Sequence, residues 1–460
     1  ASNNTGVGFY ALKVNTTGTK NTGFGRNALT ANTTASNNTA VGDLVMNTNT
    51  TGPRNTAVGS GALQSHTTGA NNSAFGYTAL QNSTTGEENT AYGFEGMLST
   101  TTGNYNVSVG GGALRANTTA SYNTAVGKNA LRNNTTAADN TAVGYASLAA
   151  NTTGVNNCAV GVEALDANTT GSNNTAFGRW SMTSNTTADA NTAYGHRSLN
   201  NNTTGTDNVA IGKEALRYNT TATNNTAVGR HAMNANTTGV QNTAVGKDSM
   251  AANTTGERNV AVGETALDSN TTGIRNVAIG RSALQGTQTA SYNVGVGHSA
   301  MGDTTTGHNN TAVGNGALNS TTTGNNNVGI GTQALSSSAT ASGEFTLGGG
   351  DITNLRCNDT SISSLSDSRD KTNIVDIPLG LTFINTVRPV AFDWNRRDGK
   401  MEGKKDFGFI AQELKTAEDA TVYANHMRLV HNNNPDKLEA DPMKMFPILV
   451  KAIQELSTKN

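Results

Sequence analysis

Aromatic side chains make up only 5% of this 460-residue chain, and charged side chains only 14%. So little of either argues against ordinary globular layers filled by large side chains. The net charge of −1 leaves no basic field to draw in nucleic acid or an anionic membrane surface. No apolar run reaches the length of a spanning helix, so membrane insertion is not expected. Cysteine is nearly absent. Cys158 and Cys357 lie far apart, and Cys158 fills a slot where most repeats carry Thr. It reads as a small buried substitute and not as a disulfide partner or a ligand. The seven histidines show no metal-ligand spacing, so neither metal nor cofactor is expected. Six prolines are few for such a length, and low hydrophobicity without high net charge is not the signature of disorder. The chain opens mid-repeat at Ala1-Ser2-Asn3, without a leader pattern, and reads as a piece whose attachment end lies elsewhere.

What is present is glycine, asparagine and threonine in strict order. A glycine stands at position 8 and then at every 17th residue through Gly25, Gly42 and Gly59 to Gly348, with no break in phase. The unit reads N-T-A-V-G-x-x-A-L-x-x-N-T-T-G-x-x. Before the glycine comes an apolar residue, such as Val7, Phe24, Tyr92 or Ile211; four residues after it comes Leu12, Leu29, Met46 or Leu131. Four residues before it is Asn in each unit except the last, where Glu344 stands. A fixed period without insertions marks one structural coil per unit. N-T-A-V-G alternates, with Thr and Val on one face and Ala and Gly on the other, which is strand periodicity with one small face. N-T-T-G carries turn chemistry. Thr-Thr pairs, Asn and Gly in each unit oppose a helical repeat. The spacing therefore predicts a mainly β chain: a parallel β-solenoid over 1–350, its coils about 4.8 Å apart and each Asn stacked on the next. About twenty coils make a rod of about 95 Å.

One such coil is expected to bury one Val and one Leu, which is little against the entropy of ordering its residues. Burial against sister chains, through the small Ala/Gly face, is expected to supply the rest; hence a homotrimer. The strand slots resemble the head of trimeric autotransporter adhesins, most closely at Asn208-Val209-Ala210-Ile211-Gly212 and Asn276-Val277-Ala278-Ile279-Gly280. That resemblance implies a trimeric β-roll on a cell or particle surface.

Composition changes near Ser366. Residues 366–460 carry 14 basic and 14 acidic side chains and five of the six prolines, and the repeat has ended. A small α+β domain is expected over 366–460, joined to the shaft by a Ser- and Thr-rich neck at 351–365. Its final segment places Phe446, Leu449, Ile453 and Leu456 at spacings of 3, 4 and 3, a coiled-coil seam, with Pro447 tolerable only in the first helical turn. Ser366 and Lys371 are five residues apart: a hydroxyl and an amine that become nucleophile and base if the lysine loses its proton, or otherwise a solvated turn. The series Ser366-Asp367-Ser368-Arg369-Asp370-Lys371, then Val387-Arg388-Pro389, then Gly408-Phe409-Ile410-Ala411-Gln412-Glu413, resembles the endosialidase-type intramolecular chaperone at the end of phage tail spikes and fibres. The resemblance implies that this domain directs trimer assembly and cuts itself off between Leu365 and Ser366, with Ser366 as nucleophile, Lys371 as base and Asp367 orienting them.

The expected function is therefore a trimeric fibre, in a virion tail or on a cell surface, that binds a host receptor or glycan. At most it is an enzyme towards itself. Two alternatives stand beside it. A polysaccharide-degrading spike needs two carboxylates about 5–10 Å apart, and no repeat supplies them in a distinctive pattern. An ice-binding solenoid needs threonines in rows on one face, whereas here they are adjacent in the chain. The Asn-Thr-Thr triplets are formal glycosylation acceptors but turn residues first. Trp180 and Tyr194 are candidate sugar contacts, though scattered exposed aromatics are common.

Overall fold

A computed structural model of the chain describes residues 1–350, 352, 356, 366–396, 402–432, 436 and 438–459. Apart from Ile352 and Arg356, the neck at 351–365, with Cys357, lies outside the described residues.

The repeat folds as a parallel solenoid with one three-residue strand per coil. The strands run from Thr5–Val7 (β1) to Phe345–Leu347 (β21). Each pairs with the next in a register of 17: Thr175–Phe177 (β11) sets Ala176 against Ala193 and Phe177 against Tyr194 of Thr192–Tyr194 (β12). With no insertion anywhere, each slot of the unit becomes a straight column down the shaft.

The coil from Asn123 to Ala137 shows why these residues close a turn of solenoid. Ala125, Ala130 and Leu131 point inward and are fully buried. Gly127 has φ 132°, and its N–H donates to Val109 O of the preceding coil at 2.7 Å. Leu131 sits in the left-handed region, φ 50°, and donates to Ser147 O of the next coil at 3.0 Å. Two asparagine ladders line the interior. Asn123 Oδ1 accepts from Asn140 N at 3.0 Å, and its Nδ2 donates to Ala137 O at 3.0 Å. Asn134 Nδ2 donates to Asn117 Oδ1 at 3.0 Å and to Ala137 O at 2.9 Å. Buried backbone at a turn must find partners, and these amides supply them without water. The asparagines of the Asn-Thr-Thr triplets are thereby turned inward; from Asn32 onward those in the ladder are fully buried.

The expected alternation holds, but its faces are reversed with respect to the core. The small Ala packs inside its own coil against Leu or Met, so it is not free to receive a sister chain. The apolar residue before the glycine points outward: Phe24 is 55% exposed, Tyr194 54% and Ile279 41%. A typical coil therefore buries two small residues, mostly Ala, and a Leu or Met in place of the expected Val and Leu. Cys158 opens Cys158–Val160 (β10) on that outward face and is half-buried, not buried.

After the repeat come a short helix Leu381–Ile384 (α1), a hairpin of Val390–Asp393 (β22) and Lys405–Gly408 (β23), and helices Ala411–Asp419 (α2) and Ala424–Met427 (α3). A two-residue ladder of Val430–His431 (β24) and Glu439–Ala440 (β25) leads to the last helix, Phe446–Lys459 (α4). Pro447 falls in the first turn of α4, where its missing N–H is harmless. Phe383, Leu414, Met427, Leu429, Val430, Met445 and Ile448 form the core. Glu455 of α4 accepts from Leu381 N at 2.8 Å and so ties α4 to the start of α1. A side chain at Gly380 would meet that carboxylate at 2.5 Å. No described helix is long and apolar enough to cross a membrane.

Candidate functional site

Ser366 and Lys371 meet at the entrance to this second region. Asp367 caps a single 3-10 turn, Ser368–Asp370: its carboxylate accepts from Arg369 N at 2.9 Å. The turn reverses the chain, and Lys371 N closes it on Ser368 O at 3.2 Å. The lysine side chain then reaches back, its Nζ 2.6 Å from Ser366 Oγ and 3.2 Å from Ser366 O. Five residues is the separation that one such turn folds into contact.

Asp367 does not join them. It holds the Arg369 guanidinium through both oxygens, at 2.6 Å to Oδ2 and 3.0 Å to Oδ1, and this partner keeps its carboxyl below the usual aspartate range. Its contribution is to the shape of the turn. Ser366 and Lys371 are exposed. In this arrangement the ammonium donates to the hydroxyl; a base must instead be neutral and accept. Further along, Arg388 pairs with Glu413 of α2 through two contacts, which brings together two of the segments quoted above. The arginine holds the Glu413 carboxyl below its ordinary range.

On the shaft, columns matter more than motifs. The second Thr of each N-T-T unit is exposed in each coil from Thr17 to Thr340, whereas the first donates its hydroxyl to the next coil, as Thr33 does to Thr50 O at 3.1 Å. Thus only one threonine of each such pair presents an exposed row. Aromatics in one slot of consecutive coils stack: Phe75 on Tyr92 at 4.6 Å and Phe177 on Tyr194 at 4.8 Å between centroids. In sequence these pairs are 17 apart and no local window links them; a register count would have found them.

Residues 366–423 match the protein family described as the chaperone of endosialidase. The match begins at Ser366 and takes in the Ser–Lys pair and the Arg388–Glu413 pair. No curated protein and no solved structure matches the chain. A β-solenoid of about twenty coils followed by a chaperone-of-endosialidase segment fits a tail fibre or spike-type protein with its chaperone at the carboxy end.

Proposed function

We propose that the chain forms a homotrimeric fibre that attaches its carrier to a host surface, that 1–350 is the shaft, and that the region from Ser366 directs trimer assembly. The observation that carries this reading is the pair of apolar faces the single chain leaves uncovered. One is the outward column from Phe24 to Leu347 down the whole solenoid. The other is on α4, where Ile448 and Ala452 face the chain's own core while Phe446, Leu449, Ile453 and Leu456 stay exposed on the seam read from the sequence. Apolar surface of that extent, arranged in lines, marks an interface. The Val column replaces the Ala/Gly face as the surface offered to sister chains, and a parallel trimer covers all three columns at once.

Self-cleavage belongs to the same proposal. Ser366 Oγ adds to the carbonyl carbon of residue 365, which lies outside the described residues, and Lys371 takes the hydroxyl proton. The C–N bond breaks, the proton passes to the freed amine, and water hydrolyses the ester. Burial of the lysine in the closed trimer would favour its neutral form and link cleavage to assembly. Light scattering and chain mass on the intact protein test both parts. Three chains per particle and a cut before Ser366 that Ser366→Ala abolishes are expected. A stable folded monomer overturns the fibre, and cleavage surviving Ser366→Ala overturns the nucleophile.

A further inference from the structure

The slot after the repeat glycine gathers basic side chains over four consecutive coils. Arg179, His196, Lys213 and Arg230 occupy it in turn, and the 17-residue register makes them one column spaced by the coil rise of about 4.8 Å. The backbone fixes the stack: Arg197 N donates to Arg179 O at 3.1 Å, Glu214 N to His196 O at 3.0 Å and His231 N to Lys213 O at 2.9 Å. Arg197, one slot on, joins the column. Trp180 organises it. Its indole N–H donates to Glu163 at 2.8 Å, and the guanidinium carbons of Arg179 and Arg197 lie 3.7 and 4.7 Å from its ring centroid. Such cation–π contacts hold two flexible arginines in place. Among the described residues no ion pair engages Arg179, Arg197, Lys213 or Arg230; Glu214 is taken by Arg217 and His231. Desolvation, with Arg197, Lys213 and Arg179 adding to it, lowers the His196 pKa, a local sign that positive charge is concentrated here. Beyond Arg230 the column is neutralised, since Lys247 pairs with Asp248 and Glu264.

We propose that Arg179, Arg197, Lys213 and Arg230 form a binding track for a linear acidic polysaccharide, one carboxylate per sugar, lying along the shaft. Guanidinium forks pair with carboxylates in two parallel hydrogen bonds, which favours this ligand chemistry. A pyranose ring is about as long as the coil rise, so successive acids meet successive coils. Duplex DNA places a phosphate every 3.4 Å or so along each strand, out of step with the coils, and the near-zero net charge gives it no long-range attraction. An acidic peptide would want a free sheet edge, and each strand here is paired on both sides within the shaft. Three copies per fibre would multiply a weak site by avidity.

This names the ligand class of the proposed attachment, but its test needs neither host nor particle. The intact purified chain is titrated calorimetrically with polygalacturonate at low salt. Saturable binding is expected, weakened by salt, and weakened about tenfold or more by Lys213→Glu with Arg230→Glu. Lys213→Ala with Arg230→Ala should act in the same direction. Both residues are exposed, and circular dichroism checks that each variant folds. Lys20→Glu with Arg54→Glu, in a different column, should bind as the parent does. No binding by the parent, unchanged binding by the folded double variants, or equal binding to duplex DNA or polyglutamate overturns the track. The oligomeric state, measured separately, bears on the fibre alone.

Discussion

The second asparagine ladder is interrupted at His66, Ser83 and Thr100, and its cost shows atom by atom. Asn49 Oδ1, His66 Nδ1 and Ser83 Oγ are buried without a hydrogen-bond partner, and Asn270 Oδ1 and Thr287 Oγ1 repeat the pattern at the next break. Each orphan costs about 1–3 kcal/mol. His66 Nε2 lies 2.7 Å from Gly69 O, so the ring donates there and leaves Nδ1 as the unused acceptor. Burial depresses the His66 pKa below its ordinary value. The unfolded chain therefore takes up a proton before the folded one. Stability at this coil is full above about pH 6.5 and falls as the pH drops below it. His66→Asn restores the residue this slot carries in most coils and gives Asn49 Oδ1 a donor. It should raise local stability by about 1 kcal/mol and remove the acid sensitivity. Hydrogen exchange of the peptides around coil 66 at neutral and mildly acid pH reads both; unchanged protection would refute the ladder argument.

At the scale of the element, the strand glycine is fixed by its neighbour above. A Cβ on Gly178 would lie 2.6 Å from Gly195 O, and φ is 134°. Neither contact nor dihedral admits a β-branched residue. Ala176, fully buried, is limited from inside the coil. Gly178→Val and Ala176→Leu should each open several coils, because a solenoid transmits a break to its neighbours. Limited proteolysis should then cut near residue 178, and an intact protease-resistant shaft would contradict the packing. The helix α4 behaves differently. Leu449 and Ile453 are exposed, so Leu449→Asp with Ile453→Asp should leave the fold of the region intact while the particle mass falls from three chains towards one. A trimer of unchanged stability would show that the seam is unused.

For the whole molecule, one rule of construction produces both the rod and its surfaces. A register of 17 without insertion turns each slot into a column, so a change of residue type in successive repeats becomes a patch. The outward apolar column, the exposed threonine row and the basic track are all made this way. Within one repeat each is a single unremarkable residue. Their length along the axis gives them interaction energy, and sister chains would multiply it threefold.

The repeat by itself determined the coil, the parallel in-register stack and the asparagine ladder, because a strict period admits one way of stacking identical turns. Period and spacing also placed Pro447 in a first helical turn and Ser366 within reach of Lys371. Alternation says which residues share a face but not which face is inside; that was decided by the closed coil, which turns the small strand residue, Ala in most coils, inward against Leu or Met. Likewise Leu131 at φ 50° contradicts the local preference of a bulky residue, and it is held there by burial and by a hydrogen bond from one coil to the next. The partner of Asp367 was settled by a turn only five residues long. The basic track was invisible in sequence because its cations are a whole coil apart in the chain, and only the stacked structure brings them side by side.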